Sequence, residues 1–246
     1  MSILITGGTK GIGLAIAKAF APTAGDVFLN YHADDSAAEK AAATIRALGG
    51  RPHLIKADAG TSDGCAGIIA VVRKTTSQLD QVVHCALDAY ASPVLDADPD
   101  RFARAVVTNG VSLLFLVQAA MPLLTRGSTI FFLTSRGGRI VVPNYAAIGI
   151  AKALAESLIR YMAVELAPKG IRINAVAPAI VETDAVKALF GAQTAALIKD
   201  AASHNPSGRG VEDADYTNLI RWLASPEAAF VQGQVIFVNG GANLSA

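Results

Sequence analysis

The chain has 246 residues, 52% hydrophobic and 17% charged, with 22 glycines and a formal net charge of +1. That length suits one large α/β domain, and the composition excludes a disordered chain or a coiled coil. A near-neutral charge without a lysine/arginine run excludes the basic footprint of a nucleic-acid binder.

The N-terminus enters an apolar strand at once, Ser2 to Thr6, with no basic leader, signal-like stretch or run of about 20 apolar residues. A cytoplasmic protein without a membrane partner is expected. Cys65 and Cys85 lack metal-ligand spacing, and in a reducing compartment they are free thiols.

After the first strand comes Gly7-Gly8-Thr9-Lys10-Gly11-Ile12-Gly13, then the helical pattern Leu14, Ile16, Ala17, Phe20. Strand, glycine turn and helix in this order lay backbone N–H groups and a helix N-terminus against a pyrophosphate. Asp26 to Tyr31 is the second strand, ending where an adenosine ribose would lie. An acid there would accept from the ribose 2′-hydroxyl and repel a 2′-phosphate. The strand ends instead in Asn30-Tyr31-His32, with Lys10 nearby in the glycine turn, which tilts the choice to NADP(H). Asp34 and Asp35 read as the solvated start of a helix over 36–48.

A third strand, Arg51 to Ala57, ends at Asp58-Ala59. Asp58 is placed to accept from an adenine amino group or to cap the segment after Thr61. A helix from Asp63 to Thr75 leads to a fourth strand, Leu79 through His84-Cys85-Ala86-Leu87. A helix from Asp100 to Leu124 contains the polar pair Thr108-Asn109, and the strand Ser128–Thr134 ends at Ser135.

Asn144 reads as an N-cap and Pro168 as a helix stop, so about Tyr145 to Ala167 is predicted helical. Seven residues at 100° each bring Lys152 back to within about 20° of Tyr145, roughly 10 Å along the axis. The pair is thus expected to border one cleft; the plain alternative is a hydrogen-bonded tyrosine and a lysine reaching to water. A sixth strand, Ile171 to Val176, runs into Ala177-Pro178-Ala179-Ile180-Val181. The segment 183–210 carries an amphipathic pattern (Val186, Leu189, Phe190, Leu197, Ile198), read as a lid over an apolar substrate or as a packed surface helix. A helix, Asp213–Leu223, and a strand, Gln234–Val238, close the chain. Strands alternating with helices throughout predict a single Rossmann-like domain over 1–246, a doubly wound parallel sheet with ligands at its C-terminal edge.

Over essentially its whole length the chain resembles the short-chain dehydrogenase/reductase family. The resemblance rests on Thr6-Gly7-x-x-x-Gly11-x-Gly13, Asp58, Asn109, Ser135, Lys152, Asn174-Ala-Val-Ala-Pro178 and Gly233-Gln-x-x-x-Val238-x-Gly240-Gly241. It implies cofactor contacts from Gly7, Thr9, Lys10, Gly11, Ile12, Gly13, Asn30, Tyr31, His32, Asp58, Ala59, Cys85, Ala86, Lys152, Pro178, Val181 and Thr183. It also implies catalytic or supporting roles for Tyr145, Lys152, Ser135 and Asn109, with no metal. Members usually associate as tetramers through the helices corresponding to 100–124 and 144–167.

The ordinary ketone/alcohol members carry a tyrosine four residues before the lysine, and here that position is Ile148. Tyr145 stands seven before Lys152, an arrangement similar to bacterial enoyl-(acyl carrier protein) reductases, especially the NADPH-using type. The resemblance therefore implies reduction of an α,β-unsaturated acyl thioester, with acyl carrier protein as a possible partner. Conjugate reduction delivers hydride to Cβ while charge develops on the thioester oxygen, so the hydrogen-bond donor must stand away from the nicotinamide. There are departures. His84-Cys85-Ala86-Leu87 replaces Asn-Asn-Ala-Gly, Ser135 stands where the enoyl reductases often have a second tyrosine, and Pro178-Ala179 replaces Pro-Gly. Two alternatives stand beside this reading: a ketone or imine reductase using Ser135 or water, and a non-catalytic NADP-binding protein.

Overall fold

A computed structural model of the chain describes residues 1–242. Seven parallel strands form one sheet in the order β3-β2-β1-β4-β5-β6-β7: β1 Ser2–Thr6, β2 Asp26–Tyr31, β3 Arg51–Lys56, β4 Leu79–His84, β5 Leu124–Leu133, β6 Arg172–Pro178 and β7 Val235–Val238. The strands alternate between two buried faces, as a sheet covered on both sides requires. Leu4, Phe28, Val82, Ile130, Phe132 and Ile173 pack under α3 (Ser62–Val72), α5 (Ser112–Ala120) and α6 (Ala146–Leu166). Ile3, Ile5, Val27, Leu29, Val83, Phe131 and Val176 pack under α1 (Gly11–Phe20), α2 (Asp35–Ala47) and α9 (Asp213–Ala224). α4 is Pro99–Val106, and between β6 and α9 lie the short helices α7 (Asp184–Phe190) and α8 (Thr194–Ser203). The chain steps outward from β1 to β3 and returns to add β4 on the other side of β1, so a crevice opens at the C-terminal ends of these strands.

Several expectations need correction. The helix expected to start at an Asn144 cap begins instead at Ala146; Tyr145 is its N-cap residue and makes no side-chain cap bond. Asn144 takes the left-handed conformation, φ 59°, which asparagine tolerates better than most residues. The helix predicted over 100–124 is continuous from Pro99 to Leu123 but changes to π-helical winding at Val107–Val111, around Asn109. By length and apolar composition this helix could cross a membrane. Here Leu113, Leu116, Val117 and Ala120 are instead committed to the core. The fifth strand starts at Leu124, four residues earlier than expected, across an irregular register between Leu79 and Gln81. The cap of α3 is Thr61, whose hydroxyl accepts from Gly64 N, so Asp58 is not that cap.

Candidate active site

The glycine turn after β1 is closed by contact rather than by side chains. Gly7 and Gly11 have φ +63° and +47°, and a Cβ on Gly13 would lie 2.2 Å from the carbonyl oxygen of Gly7. Only glycine fits. The hydroxyl of Thr6 accepts from the backbone N–H groups of Cys85 (3.1 Å) and Ala86 (3.2 Å), tying the end of β4 to this turn. The N-terminus of α1 has no side-chain cap and no acid in its first turn. Its N–H groups and dipole therefore suit an anion, and the turn fits the pyrophosphate of a dinucleotide.

At the end of β2 the expected ribose contacts rearrange. Asn30 is 1% exposed, and its amide donates to the carbonyls of Ile55 (3.1 Å) and Ala57 (3.0 Å). Its side chain is committed to β3 and does not face a ribose, a correction to the sequence reading. The Tyr31 hydroxyl donates to Asp35 (2.8 Å), which also pairs with Lys56 (2.7 Å). His32 is exposed. Lys10 forms ion pairs with Asp34 and, at 3.6 Å, with Asp184. Hydrogen bonding to Asp34 holds Lys10 above the ordinary lysine value. Asp34 also caps α2 by accepting from Ala37 N at 2.9 Å, so it is more than a solvated helix start. Beyond β3, Asp58 accepts from Gly60 N (2.8 Å) through Oδ1. Its Oδ2 makes no hydrogen bond among the described residues, and Ala59 beside it is buried.

One cleft then gathers residues that follow β1, β4, β5 and β6. Ile12, Cys85, Ser135, Tyr145, Lys152, Pro178, Val181 and Thr183 line it together. It encloses about 1050 Å³ of empty space, part of it continuous with solvent. Its remaining wall is mostly apolar: Leu87, Val142, Val186, Leu189, Phe190 and Phe237. The Tyr145 hydroxyl stands 3.3 Å from Ser135 Oγ, which accepts from Gly137 N at 3.1 Å. Burial raises the phenol above its ordinary value, against a smaller opposing effect of the Ser135 hydrogen bond. Ile148, the position four before the lysine, is fully buried in the core.

Lys152 is 5% exposed, with Nζ 4.4 Å from the centroid of the Phe132 ring. Its ammonium has no hydrogen-bonding acceptor among the described residues, and burial pulls it down to about 8. Such a cation, dry on one side and open to the cleft on the other, is placed to take ligand hydroxyls. Glu156, one turn on, is buried but occupied, accepting from Thr134 Oγ1 (2.7 Å) and Arg139 Nε (3.4 Å).

Asn109 does not reach the cleft. Its side chain clamps the backbone of Asp88, accepting from the N–H (2.8 Å) and donating to the carbonyl (2.9 Å). Asp88 is in turn paired with Arg101. Other site-building residues escape the sequence reading. Gly137 makes room for the Tyr145 ring, since a Cβ there would lie 2.6 Å from Tyr145 Cε1. Gly149 lets α6 approach the carbonyl of Gly137. A glycine inside a helix disfavours the helix and so signals a packing demand. Thr6 stands in the sequence pattern only as part of the motif, and its clamp on β4 has no local signal.

A family model described as enoyl-(acyl carrier protein) reductase matches residues 7–243. The chain is 30% identical over 243 residues to 1-cyclohexenylcarbonyl-CoA reductase of Streptomyces collinus, covering 99% of this chain and 87% of that one. It is 33% identical over 174 residues to an enoyl-(acyl-carrier-protein) reductase (NADH) of Synechocystis sp., covering 69% of this chain and 67% of that one. Among solved structures, a short-chain dehydrogenase of Burkholderia cenocepacia in complex with NADP superposes with a TM-score of 0.88 at 27% identity, covering 99% and 97% of the two chains.

Proposed function

The chain belongs to the short-chain dehydrogenase/reductase family, and from that premise we propose that it is an NADPH-dependent reductase of the C=C bond of an α,β-unsaturated acyl thioester. The observation that carries this reading is the place of the phenol. Tyr145, seven residues before Lys152, is the tyrosine of the cleft, while Ile148 is sealed in the core and has no proton to give. The apolar wall suits an acyl chain, and the matching family description and the two reductases above point the same way.

Bound with its pyrophosphate at Gly7–Gly13, the reduced nicotinamide cofactor supplies the hydride. Lys152 holds the nicotinamide ribose hydroxyls, Asp58 accepts from the adenine, and Lys10 attracts a 2′-phosphate. Pro178, Val181 and Thr183 flank the nicotinamide end. Tyr145 donates a hydrogen bond to the thioester oxygen, where negative charge gathers as the β-carbon is reduced. Burial keeps this phenol protonated at neutral pH, as a donor must be. Ser135 orients it from 3.3 Å.

Residues 183–210 act as the lid. Thr183 packs on Gly11, Asp184 pairs with Lys10, and Val186, Leu189 and Phe190 face the cleft. The outer side of α6 exposes Ile150, Tyr161 and Val164, an apolar strip suited to association of four chains. In the test, purified protein is mixed with NADPH and crotonyl or longer enoyl thioesters on CoA and on acyl carrier protein. Cofactor consumption is expected, and most of the rate should be lost in Tyr145→Phe. No turnover with any enoyl thioester rejects the proposal.

A further inference from the structure

Behind the cleft, His84 ends β4 in full burial. Its Nε2 lies 2.7 Å from Ser112 Oγ, and Ser112 Oγ lies 2.7 Å from the carbonyl oxygen of Thr108. A carbonyl only accepts, so the single Ser112 proton goes to Thr108 and Ser112 accepts from His84 Nε2–H. This fixes the neutral tautomer and leaves Nδ1 as a lone-pair acceptor. Nδ1 is buried and has no hydrogen-bond partner among the described residues. A buried acceptor left in that state is costly, and in a native protein it calls for a donor.

A donor without an acceptor among the described residues, Lys152, packs against the same aromatic ring as His84, and its charge is felt by the imidazole. The two side chains flank one ring: Lys152 Nζ is 4.4 Å from the Phe132 centroid, and the His84 ring centroid is 5.4 Å from it. We propose that His84 is a positioning residue for Lys152, its Nδ1 accepting a hydrogen bond from the ammonium directly or through one water and so holding the lysine charged beneath the cleft. The inference rests on the role given to Lys152 above.

The other groups facing the ammonium do not serve. Glu156, on the same helix, is taken by Thr134 and Arg139. The thiol of Cys85, beside His84, is pushed up to about 11 by burial and stays protonated. Tyr145, across the cleft, is a donor kept protonated by burial. Burial, reinforced by the Lys152 charge, pulls His84 down to about 3, so it remains an acceptor through the neutral range. The Ser112 and Thr108 bonds hold the ring in the tautomer that leaves the lone pair on the buried Nδ1.

Two substitutions separate this role from simple packing. His84→Gln retains a donor for Ser112 but places no acceptor at the Nδ1 position. His84→Asn places an amide oxygen there and gives up Ser112. In the pH profile of NADPH oxidation, His84→Gln should move the alkaline limb down by about one pH unit, because the ammonium loses its acceptor. His84→Asn should leave that limb where it is. A wild-type limb in His84→Gln, or equal displacement in both variants, overturns the proposal.

A second measurement is independent of turnover and of the fate of either variant. The ¹⁵N resonance of His84 Nδ1 in the cofactor-free protein should shift toward that of an unbonded imidazole nitrogen in Lys152→Met. An unchanged resonance overturns the proposal even if enoyl reduction is found. A shifted one supports it even if the substrate class is wrong.

Discussion

The hydroxyl of Tyr145 and Oγ of Ser135 stand 3.3 Å apart, and Gly137 N already donates to the serine oxygen at 3.1 Å. Ser135 therefore has its own proton free, for the tyrosine oxygen or for the substrate. Tyr145→Phe removes the donor that meets the developing charge, and a loss in kcat of about 10²–10⁴-fold is expected. Ser135→Ala removes an orienting bond and should cost roughly ten-fold, about the worth of one net hydrogen bond. Steady-state rates with one enoyl thioester check the order. A larger loss in Ser135→Ala would assign the donor role to the serine.

Lys152 is carried into the fold at a cost, its ammonium pulled from an ordinary 10.5 to about 8 by burial. Between those two values the unfolded chain holds the proton and the folded one does not, so this group's contribution raises stability as pH rises through that window. Below pH 8 the full penalty applies, on the order of 3 kcal/mol. Lys152→Met should therefore be inactive yet more stable than the parent at pH 7, with the gap closing toward pH 10.5. Denaturant titrations of both proteins across this range test it. Comparing the pair cancels Cys65, which burial pushes up to about 12; the part of the range below about pH 9 also avoids Cys85, which burial pushes up to about 11 against the opposing charge of Lys152. For the same reason kcat/KM of the parent should fall above about pH 8.

Lys10 lies between two carboxylates, Asp34 and Asp184. A 2′-phosphate has to share that cation with them. Asp34→Asn keeps the α2 cap, since its amide oxygen can still accept from Ala37 N, and removes a competing charge. It should improve the NADPH/NADH preference by about ten-fold, while Lys10→Gln should lower it by a similar factor. KM values for the two cofactors decide; an unchanged ratio in both variants would remove Lys10 from the phosphate site.

Gly110 sits in the π-helical segment where α6 comes closest. A Cβ there would lie 2.5 Å from the carbonyl oxygen of Ala151, the residue before Lys152. That obstacle is backbone, so α6 must shift. Gly110→Ala should destabilise by about 1–3 kcal/mol and raise KM for NADPH more than lowered thermal stability alone would explain. Wild-type KM would show that the close approach serves only packing.

Much of this architecture is legible in the sequence because it depends on repeating patterns. The strand–glycine–helix opening, the β2 limits Asp26–Tyr31 and the alternation of buried residues come from periodicity and turn chemistry. Part of the cleft is legible too, Ser135, Tyr145, Lys152 and Pro178 among its lining, since a doubly wound sheet delivers its strand ends to one edge. The rest is set by three-dimensional neighbours. Asn30 looks like a ribose contact because nothing local reveals that the carbonyls of Ile55 and Ala57 need donors. Asn144 has the right type for a cap but takes the left-handed turn, which leaves Tyr145 ahead of the helix. Its ring is then aimed by Gly137 and Ser135 rather than by the helical repeat shared with Lys152. The π-helical winding around Asn109 carries no local signal at all.

The most direct test of the account is where the hydride lands. With NADPH deuterated at C4 of the nicotinamide and an enoyl thioester, mass spectrometry of the product should find one deuterium on the β-carbon of a saturated acyl group. Deuterium on an alcohol carbon, from a β-ketoacyl thioester reduced while enoyl thioesters are left untouched, would contradict it.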